Sequence, residues 1–217
     1  MAILDSKIYQ NLLESRLYFS FRILVRFGKP MISSIMPLKV MFSCAIVLGV
    51  IIIIANYTVQ FNIASTPLTF GALTYPFSFL LLDILSEKYP KKEVIKVLTL
   101  GLLIAFYPSY LSATPNIALA SIAAFCISQP LDITLFYMFK KYFPKLWWLR
   151  NTASSIIAQF VDTLLFFGIA FFGARAFGEC IEMAMADYTI KALLIVANTP
   201  LFYLIAIKAK SLWKSIT

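Results

Sequence analysis

The stretch VMFSCAIVLGVIIIIANYTVQ, residues 40–60, contains no charged side chain and decides the fold class. A helix of about 20 apolar residues, rising about 1.5 Å per residue, crosses the hydrocarbon core of a bilayer. Comparable apolar runs recur along the chain. They predict an all-α, polytopic membrane protein with six transmembrane helices, at about residues 40–60, 67–86, 94–112, 117–139, 152–173 and 188–207.

The composition of the whole chain agrees with this fold class. Of its 217 residues, 61% are hydrophobic and 13% are charged, whereas a soluble domain has about 25% charged residues. The chain has no histidine, and its three cysteines, Cys44, Cys126 and Cys180, have no short spacing between them. These features argue against a metal site, a disulfide framework and a histidine-based enzyme. Neither a cofactor nor an enzymatic activity is therefore expected.

The basic residues predict how the helices are oriented. All but two of the 19 lysines and arginines lie at the ends of the predicted spans that share one side of the membrane. The connecting segments FNIASTP (61–67) and SATPN (112–116), on the other side, carry no charge. By the positive-inside rule, both termini are predicted to be cytoplasmic. The net charge of +9 is thus explained by the lipid bilayer, and no nucleic acid partner is expected.

This topology divides the chain into three segments. Residues 1–39 are predicted to form a basic, amphipathic, cytoplasmic N-terminal segment, as a helix on the inner membrane surface or as a partly ordered tail. It does not have the pattern of a cleavable signal peptide, because no short apolar core follows a charged tip. Residues 40–207 form the predicted six-helix transmembrane domain, and residues 208–217 a basic cytoplasmic tail.

Three acidic residues lie inside the predicted spans: Asp83, Asp132 and Asp162. A carboxylate near the bilayer centre costs about 2.5–3.5 kcal/mol on insertion scales, so it needs a partner or a function. Two of the three occur in similar stretches, SQPLDITLF (128–136) and AQFVDTLLF (158–166), and each has a glutamine three residues earlier. Both are predicted to lie about 12–18 Å above the cytoplasmic surface, near the midplane.

The two glutamine–aspartate pairs predict a polar chamber. Residues three or four apart share one helix face. If the two antiparallel helices are neighbours, Gln129 lies level with Asp162, and Asp132 lies level with Gln159. A carboxylate accepts two hydrogen bonds side by side and an amide both donates and accepts, which suits a flat heterocycle such as the guanine edge. The alternative is that these polar pairs only hold helices together, at about 0.6 kcal/mol per pair.

The second predicted span carries a further candidate face. Tyr75, Phe79 and Asp83 lie on it at helical spacing, with Asp83 nearer the cytoplasm than the other two aspartates. The two aromatic rings could stack on a base or could simply pack. Pro76 marks a place where this helix can bend.

Four other features have both a functional and a structural interpretation. Asn56 and Asn198 are candidates for the polar lining, or for contacts between helices. Arg150 is predicted to be an interfacial anchor, with contact to substrate or to an acid as the alternative, and Asn151 is predicted to cap the fifth span. The acidic segment before the sixth span, with Glu179, Glu182 and Asp187, is predicted to be a solvated outer loop.

Three blocks of the chain resemble one family. The stretch GALTYPFSFLLLDILSEKYPKKEVIKV (71–97) resembles the most distinctive block of the queuosine precursor transporter family, also called the vitamin uptake transporter family. SQPLDITLFYMFKK (128–141) and WWLRNTASSIIAQFVDTLLFFGIAFFG (147–173) resemble its later blocks. The resemblance covers most of residues 40–207.

This resemblance implies a multi-pass importer in the cell inner membrane. Its cargo would be a small molecule, a 7-deazaguanine compound or queuine, used for the salvage of queuosine in tRNA. Asp132 or Asp162 would then bind the guanine-like N–H edge, and Gln129 and Gln159 its carbonyl group. Asp83 would be the partner of a ligand amine or of a transported proton. Neither proton coupling nor the oligomeric state follows from the sequence.

Two other functions are consistent with the same residues. The chain could be the substrate-capture subunit of a vitamin importer driven by a separate ATPase, because it contains no phosphate-binding Gly-x-x-x-x-Gly-Lys-Ser/Thr loop of its own. It could also be a proton- or cation-conducting membrane protein, with the three aspartates as a relay.

Overall fold

The computed structural model describes residues 35–63, 69–112 and 114–209, and over these residues the all-α prediction is confirmed. Regular structure there is helical apart from one isolated backbone bridge between Asn62 and Thr69. The elements are α1 (Leu38–Thr58), α2 (Phe70–Thr74), α3 (Pro76–Lys88), α4 (Lys91–Ser112), α5 (Pro115–Tyr142), α6 (Trp147–Ala170), α7 (Phe177–Phe202) and a π-helical segment (Tyr203–Lys208). The predicted amphipathic segment up to residue 34 and the tail from residue 210 lie outside the described residues.

Within the described residues, five helices are long and apolar enough to cross a membrane, which makes the chain a multi-pass membrane protein. They are Leu38–Thr58, Lys91–Leu111, Pro115–Tyr142, Trp147–Ala170 and Phe177–Lys208. Large apolar side chains such as Ile54, Leu103, Ile127 and Leu193 are exposed on their outer faces, where lipid would cover them.

Two predicted helix starts are wrong. The predicted span 152–173 begins five residues earlier, at Trp147, and the predicted span 188–207 begins at Phe177. Residues 177–187 are therefore helical and do not form the predicted outer loop. Hydropathy alone missed these starts because the first two turns of each helix contain charged residues, Arg150 in one and Glu179 and Glu182 in the other, which an apolar-run criterion leaves out.

The predicted second span, 67–86, is a broken helix made of α2 and α3. Pro76 has no N–H to donate, so it interrupts the ladder of backbone hydrogen bonds. Tyr75 keeps helical dihedral angles (φ −56°, ψ −44°), so the chain continues in the same sense across the break. Residues 70–88 together extend about 28 Å, close to the thickness of the hydrocarbon core.

Helix α3 is the central element of the fold. It packs against α1, α4, α5, α6, α7 and the π-helical segment. Most of its residues are buried, including the polar side chains Ser78, Asp83 and Ser86. Around it, α1 pairs with α4, and α5, α6 and α7 pack in succession. The polar residues of α3 therefore face protein on every side.

Helices α1 and α4 cross closely at two glycines. A Cβ atom on Gly101 would lie 2.7 Å from Leu48 Cδ2, and one on Gly49 would lie 2.9 Å from Ile104 Cγ2. Small residues permit this approach, which is a common way for helices to associate in membranes.

Candidate functional site

Helix α6 carries polar side chains at three levels along its length. Arg150 lies in the first turns, Ser155 and Gln159 follow, and Asp162 lies about 18 Å beyond Arg150. At each level α6 meets polar side chains of neighbouring helices. We call these levels the basic-end ion pairs (Glu87, Lys140, Arg150), the central cluster (Ser78, Asp83, Gln129, Asp132, Asn151, Ser155, Gln159) and the lysine cluster (Asn56, Tyr75, Ser121, Ser128, Asp162, Thr163, Asp187, Lys191).

The basic-end ion pairs join α3, α5 and α6. Arg150 approaches both oxygens of Glu87, with Nε 3.0 Å from Oε2 and a hydrogen bond of 3.0 Å to Oε1. Lys140 lies 3.6 Å from Glu87 Oε2 and donates to the backbone oxygens of Ser86 and Glu87 at 2.9 Å. Arg150 also donates to the backbone oxygen of Pro144 at 3.1 Å. These contacts hold the three helices together at the end of the bundle where these basic residues lie.

In the central cluster, α3 and α6 meet at Asp83. Asn151 Nδ2 donates to Asp83 Oδ2 at 2.5 Å, and Ser155 Oγ donates to the same oxygen at 3.1 Å. The carboxyl group of Asp132, from α5, neighbours that of Asp83. Two acidic groups on adjacent helices are thus brought together inside the bundle.

Several polar atoms of the central cluster have no hydrogen-bond partner among the described residues, although their side chains are buried. They are Asp83 Oδ1, Gln129 Oε1, Asn151 Oδ1 and both amide atoms of Gln159. The two carboxylate oxygens of Asp132 also lack a hydrogen bond of good geometry, although the hydroxyls of Ser154 and Ser155 and the carboxyl of Asp83 lie near them. Gln129 Nε2 makes one long contact of 3.4 Å to Ser78 Oγ. Leaving a buried polar group unpaired costs about 1–3 kcal/mol, so such groups are rare in proteins unless water or a ligand pairs with them.

The lysine cluster centres on Lys191 of α7. Its ammonium nitrogen lies 2.8 Å from Asp187 Oδ2 and 4.0 Å from Asp162 Oδ2. It donates to Thr163 Oγ1 at 3.2 Å and lies 4.7 Å from the centre of the Tyr75 ring. A buried lysine is thus held between two carboxylates and an aromatic face.

A chain of hydrogen bonds joins Tyr75 to α1 and α5. The Tyr75 hydroxyl and Ser121 Oγ are 3.0 Å apart, and Ser121 Oγ donates to Asn56 Oδ1 at 2.5 Å. The Tyr75 ring packs edge-on against Phe125, with centroids 5.1 Å apart. Phe125 also contacts Phe79, with centroids 6.3 Å apart. Both aromatic candidates of the second span therefore lie at this boundary between the two clusters.

The predicted level of the α5 and α6 residues agrees with the structure to within about one residue, a rise of about 1.5 Å. Ser128, not Gln129, donates to Asp162 Oδ1, at 2.6 Å. Because the helices are antiparallel, this places Asp132 level with residue 158, next to Gln159. The predicted single chamber of Asp132, Asp162 and the two glutamines is divided in the structure. The carboxyl group of Asp132 neighbours that of Asp83, whereas Asp162 lies 4.0 Å from Lys191.

The remaining predicted residues divide between the two interpretations. Asn56 lines a cavity in the lysine cluster and leaves its Nδ2 unpaired among the described residues. Asn198 is half-buried on α7 and does not line that cavity. Arg150 is buried and bonded to an acid, so its prediction as an interfacial anchor is wrong and the alternative, contact with an acid, is confirmed. Asn151 lies inside α6 and does not cap it, because the helix begins at Trp147.

Sequence reasoning missed Asp187 and Lys191 as site residues. It placed Asp187 in a solvated loop, whereas both side chains are buried on α7. The spacing of four residues puts the two charges on one helix face, and this pattern ahead of an apolar run was the signal available.

The cavity of the lysine cluster is small. It holds about 10 Å³ and is lined by Asn56, Val59, Gly71, Ala72, Tyr75, Asp162, Phe166, Asp187 and Lys191. That is enough for roughly one water molecule. An organic ligand larger than this can enter the lysine cluster only if the surrounding side chains or helices move apart.

Comparison with known proteins places the chain in a family. Residues 105–205 match the family model described as "Putative vitamin uptake transporter". The chain is 30% identical over 190 residues, covering 76% of it and 85% of the relative, to the "Queuosine precursor transporter" of Escherichia coli. It is also 30% identical over 160 residues, covering 62% of it and 70% of the relative, to the "Probable queuosine precursor transporter" of Bacillus subtilis.

The chain belongs to the queuosine precursor transporter family. A third member, from Haemophilus influenzae, is 28% identical over 124 residues, covering 48% of this chain and 52% of the relative. No solved structure matches the chain. Since the family consists of transporters by name, the prediction that this protein is not an enzyme is confirmed.

Proposed function

We propose that this chain imports queuosine precursors, 7-deazaguanine compounds or queuine, across the inner membrane for the salvage of queuosine in tRNA. Two relatives of which the chain covers two thirds or more carry queuosine precursor transporter in their names. The observation that carries the proposal is the set of unpaired polar atoms in the central cluster. A ligand bound in the central cluster would give these atoms the hydrogen-bond partners that they lack among the described residues.

The residues in and beside the central cluster have the following roles in this proposal. The carboxylate of Asp132 accepts from the adjacent N–H groups of a guanine-like edge, and the amide of Gln159 completes the contact, because an amide can donate and accept. Gln129 binds the carbonyl group of the base. Phe79 and Tyr75 lie next to this cluster, where their rings can cover the faces of a flat heterocycle.

In this proposal, Asp83 and Asp132 couple substrate binding to the release of a proton. Two carboxylates side by side in a membrane interior cannot both stay ionised at low cost, since like charges raise each other's energy and water is excluded. When the site is empty, the pair shares at least one proton. Ligand N–H groups that bind Asp132 favour its ionised form, so that binding and proton release are linked.

The topology of the proposed importer has six spans. The broken helix α2–α3 is the sixth spanning element, in addition to the five continuous helices. The basic-end ion pairs then lie at the cytoplasmic side, where the positive-inside rule places the lysines and arginines. Both termini are cytoplasmic in this arrangement.

A complementation assay tests the proposal. The host is a bacterium that has lost its own precursor transporter and cannot make the precursors, so that it obtains queuosine only by salvage. Cells expressing this chain receive 7-cyano-7-deazaguanine, 7-aminomethyl-7-deazaguanine or queuine separately, at low concentration, and queuosine is then measured in their tRNA. We expect at least one compound to restore the modification, and Asp132→Asn to abolish it.

The matched control is Glu179→Gln, which removes an acid that is 58% exposed on α7 and should leave uptake unchanged. Normal uptake by Asp132→Asn, at wild-type expression, would refute the binding role assigned to Asp132. Failure of every compound, with good membrane expression, would refute the proposed cargo.

A further inference from the structure

The ammonium group of Lys191 lies in a binding position, here called the seat, that is formed by Tyr75, Asp162, Thr163 and Asp187. Its ammonium group contacts a carboxylate at 2.8 Å, a hydroxyl at 3.2 Å and the face of an aromatic ring at 4.7 Å, with a second carboxylate at 4.0 Å. Carboxylates and an aromatic face around one point are the groups that proteins use to bind organic ammonium ions. The lysine side chain is only 5% exposed, so the seat is inside the protein.

Lys191 does not fully satisfy the charges and hydrogen-bonding groups around the seat. If both acids are ionised, Asp162 and Asp187 carry two negative charges against the single positive charge of Lys191. Asn56 lines the adjoining cavity, is 1% exposed, and leaves Nδ2 unpaired among the described residues. The cavity of about 10 Å³ beside Lys191 leaves space for a group the size of a water molecule or an ammonium.

The seat adjoins the central cluster through two connections. Ser128, which donates to Asp162, is the neighbour of Gln129 in α5. Tyr75, whose ring lies below Lys191, accepts a hydrogen bond at its backbone oxygen from Ser78, and Ser78 in turn accepts from Gln129. A ligand held in the central cluster therefore lies one helical turn from the seat.

We propose that the lysine cluster is a subsite for the primary ammonium group of a substrate, and that Lys191 fills it when no such group is present. The ammonium group of Lys191 thus competes with the substrate ammonium for the same position. It stabilises Asp162 and Asp187 in the empty protein, and the Lys191 side chain must leave this position before a substrate amine can enter. The substrate part of this inference rests on the proposed function. It makes Lys191 a specificity residue that favours neutral over ammonium-bearing cargo.

The first test measures the seat without transport. Lys191→Ala deletes a propylammonium group, so added propylammonium should refill the seat. We expect the thermal unfolding temperature of purified Lys191→Ala to rise by several degrees with saturating, millimolar propylammonium, because a ligand that binds only the folded state stabilises it. Sodium, potassium and tetramethylammonium at the same ionic strength should not produce this rise.

Two variants control this test. Lys96→Ala deletes a lysine that is 58% exposed and should show no rescue. If Lys191→Ala does not fold, Lys191→Ala combined with Asp187→Asn restores the original charge balance and still leaves the seat open. Absence of a specific propylammonium effect in both seat variants would overturn the ammonium subsite.

The second test measures specificity. Uptake of 7-cyano-7-deazaguanine, which is neutral, is compared with uptake of its 7-aminomethyl counterpart, which is a cation at neutral pH. We expect Lys191→Met to raise the ratio of cationic to neutral uptake at least about fivefold, the lower end of typical coupling between sites. Lys191→Arg, which keeps a cation, should leave the ratio low.

The two proposals fail in different ways. If the wild-type chain imports neither of these compounds nor queuine, the proposed cargo fails, while the propylammonium result still decides whether the seat exists. If the wild type imports one compound and Lys191→Met leaves the ratio unchanged, Lys191 is not a specificity residue.

Discussion

Replacement of Arg150 by methionine should strongly destabilise the protein. Arg150 is 6% exposed and makes contacts of about the same length to both oxygens of Glu87 and to the backbone oxygen of Pro144. Removing one partner of a buried ion pair costs about 3–5 kcal/mol, because the other charge is left uncompensated. Lys140 lies 3.6 Å from Glu87 and still neutralises part of that charge, so we expect a loss of about 3 kcal/mol.

Thermal unfolding of the purified protein measures this loss. For a chain of about 200 residues, a loss of about 3 kcal/mol lowers the unfolding temperature by about 6–12 °C. The matched control is Arg175→Met, whose ion pair with Glu179 is exposed on both sides and should contribute less than about 1 kcal/mol. Adding Glu87→Gln to Arg150→Met should recover part of the loss, because the unpaired carboxylate is gone. Equal effects of Arg150→Met and Arg175→Met would refute the buried ion pair.

Two further predictions concern packing and the central cluster. Gly101→Ala should lower the free energy of unfolding by about 1–3 kcal/mol, because the new Cβ would lie 2.7 Å from Leu48 Cδ2. The control is Gly168→Ala, which has open space around it and should be neutral or stabilising in the same unfolding assay. Asn151→Ala should lower stability by about 1.5–3 kcal/mol, since it removes a hydrogen bond to a buried carboxylate. Adding Asp83→Asn should recover part of that loss, and no recovery would contradict the contact.

The membrane fold could be predicted from the sequence because its signal is long and additive. A run such as residues 40–60 contains enough apolar side chains that no single position matters. The bounds of α6 and α7 could not be predicted in the same way. Their first turns carry polar residues that become buried by contact with other helices, as Arg150 does with Glu87.

The candidate site could be predicted in part. Asp83, Asp132 and Asp162 were recognisable because a carboxylate in an apolar run is costly wherever it lies. Which aspartate meets which partner depends on the packing of α3 against α5 and α6, and on an α5–α6 register finer than one residue. Lys191 was missed because a lysine beside an acidic segment is ordinarily predicted to be exposed to solvent. Only the packing of the helix shows that this face is buried.

Uptake into liposomes that contain no other protein shows whether this chain alone moves a queuosine precursor across a membrane. The purified protein is reconstituted, and entry of labelled 7-cyano-7-deazaguanine, 7-aminomethyl-7-deazaguanine and queuine is followed with and without an imposed proton gradient. We predict saturable uptake of at least one compound by the wild type and by Glu179→Gln, and loss of that uptake in Asp132→Asn. Absence of uptake of all three compounds by correctly folded wild-type protein, or uptake that Asp132→Asn leaves unchanged, would contradict the proposed function.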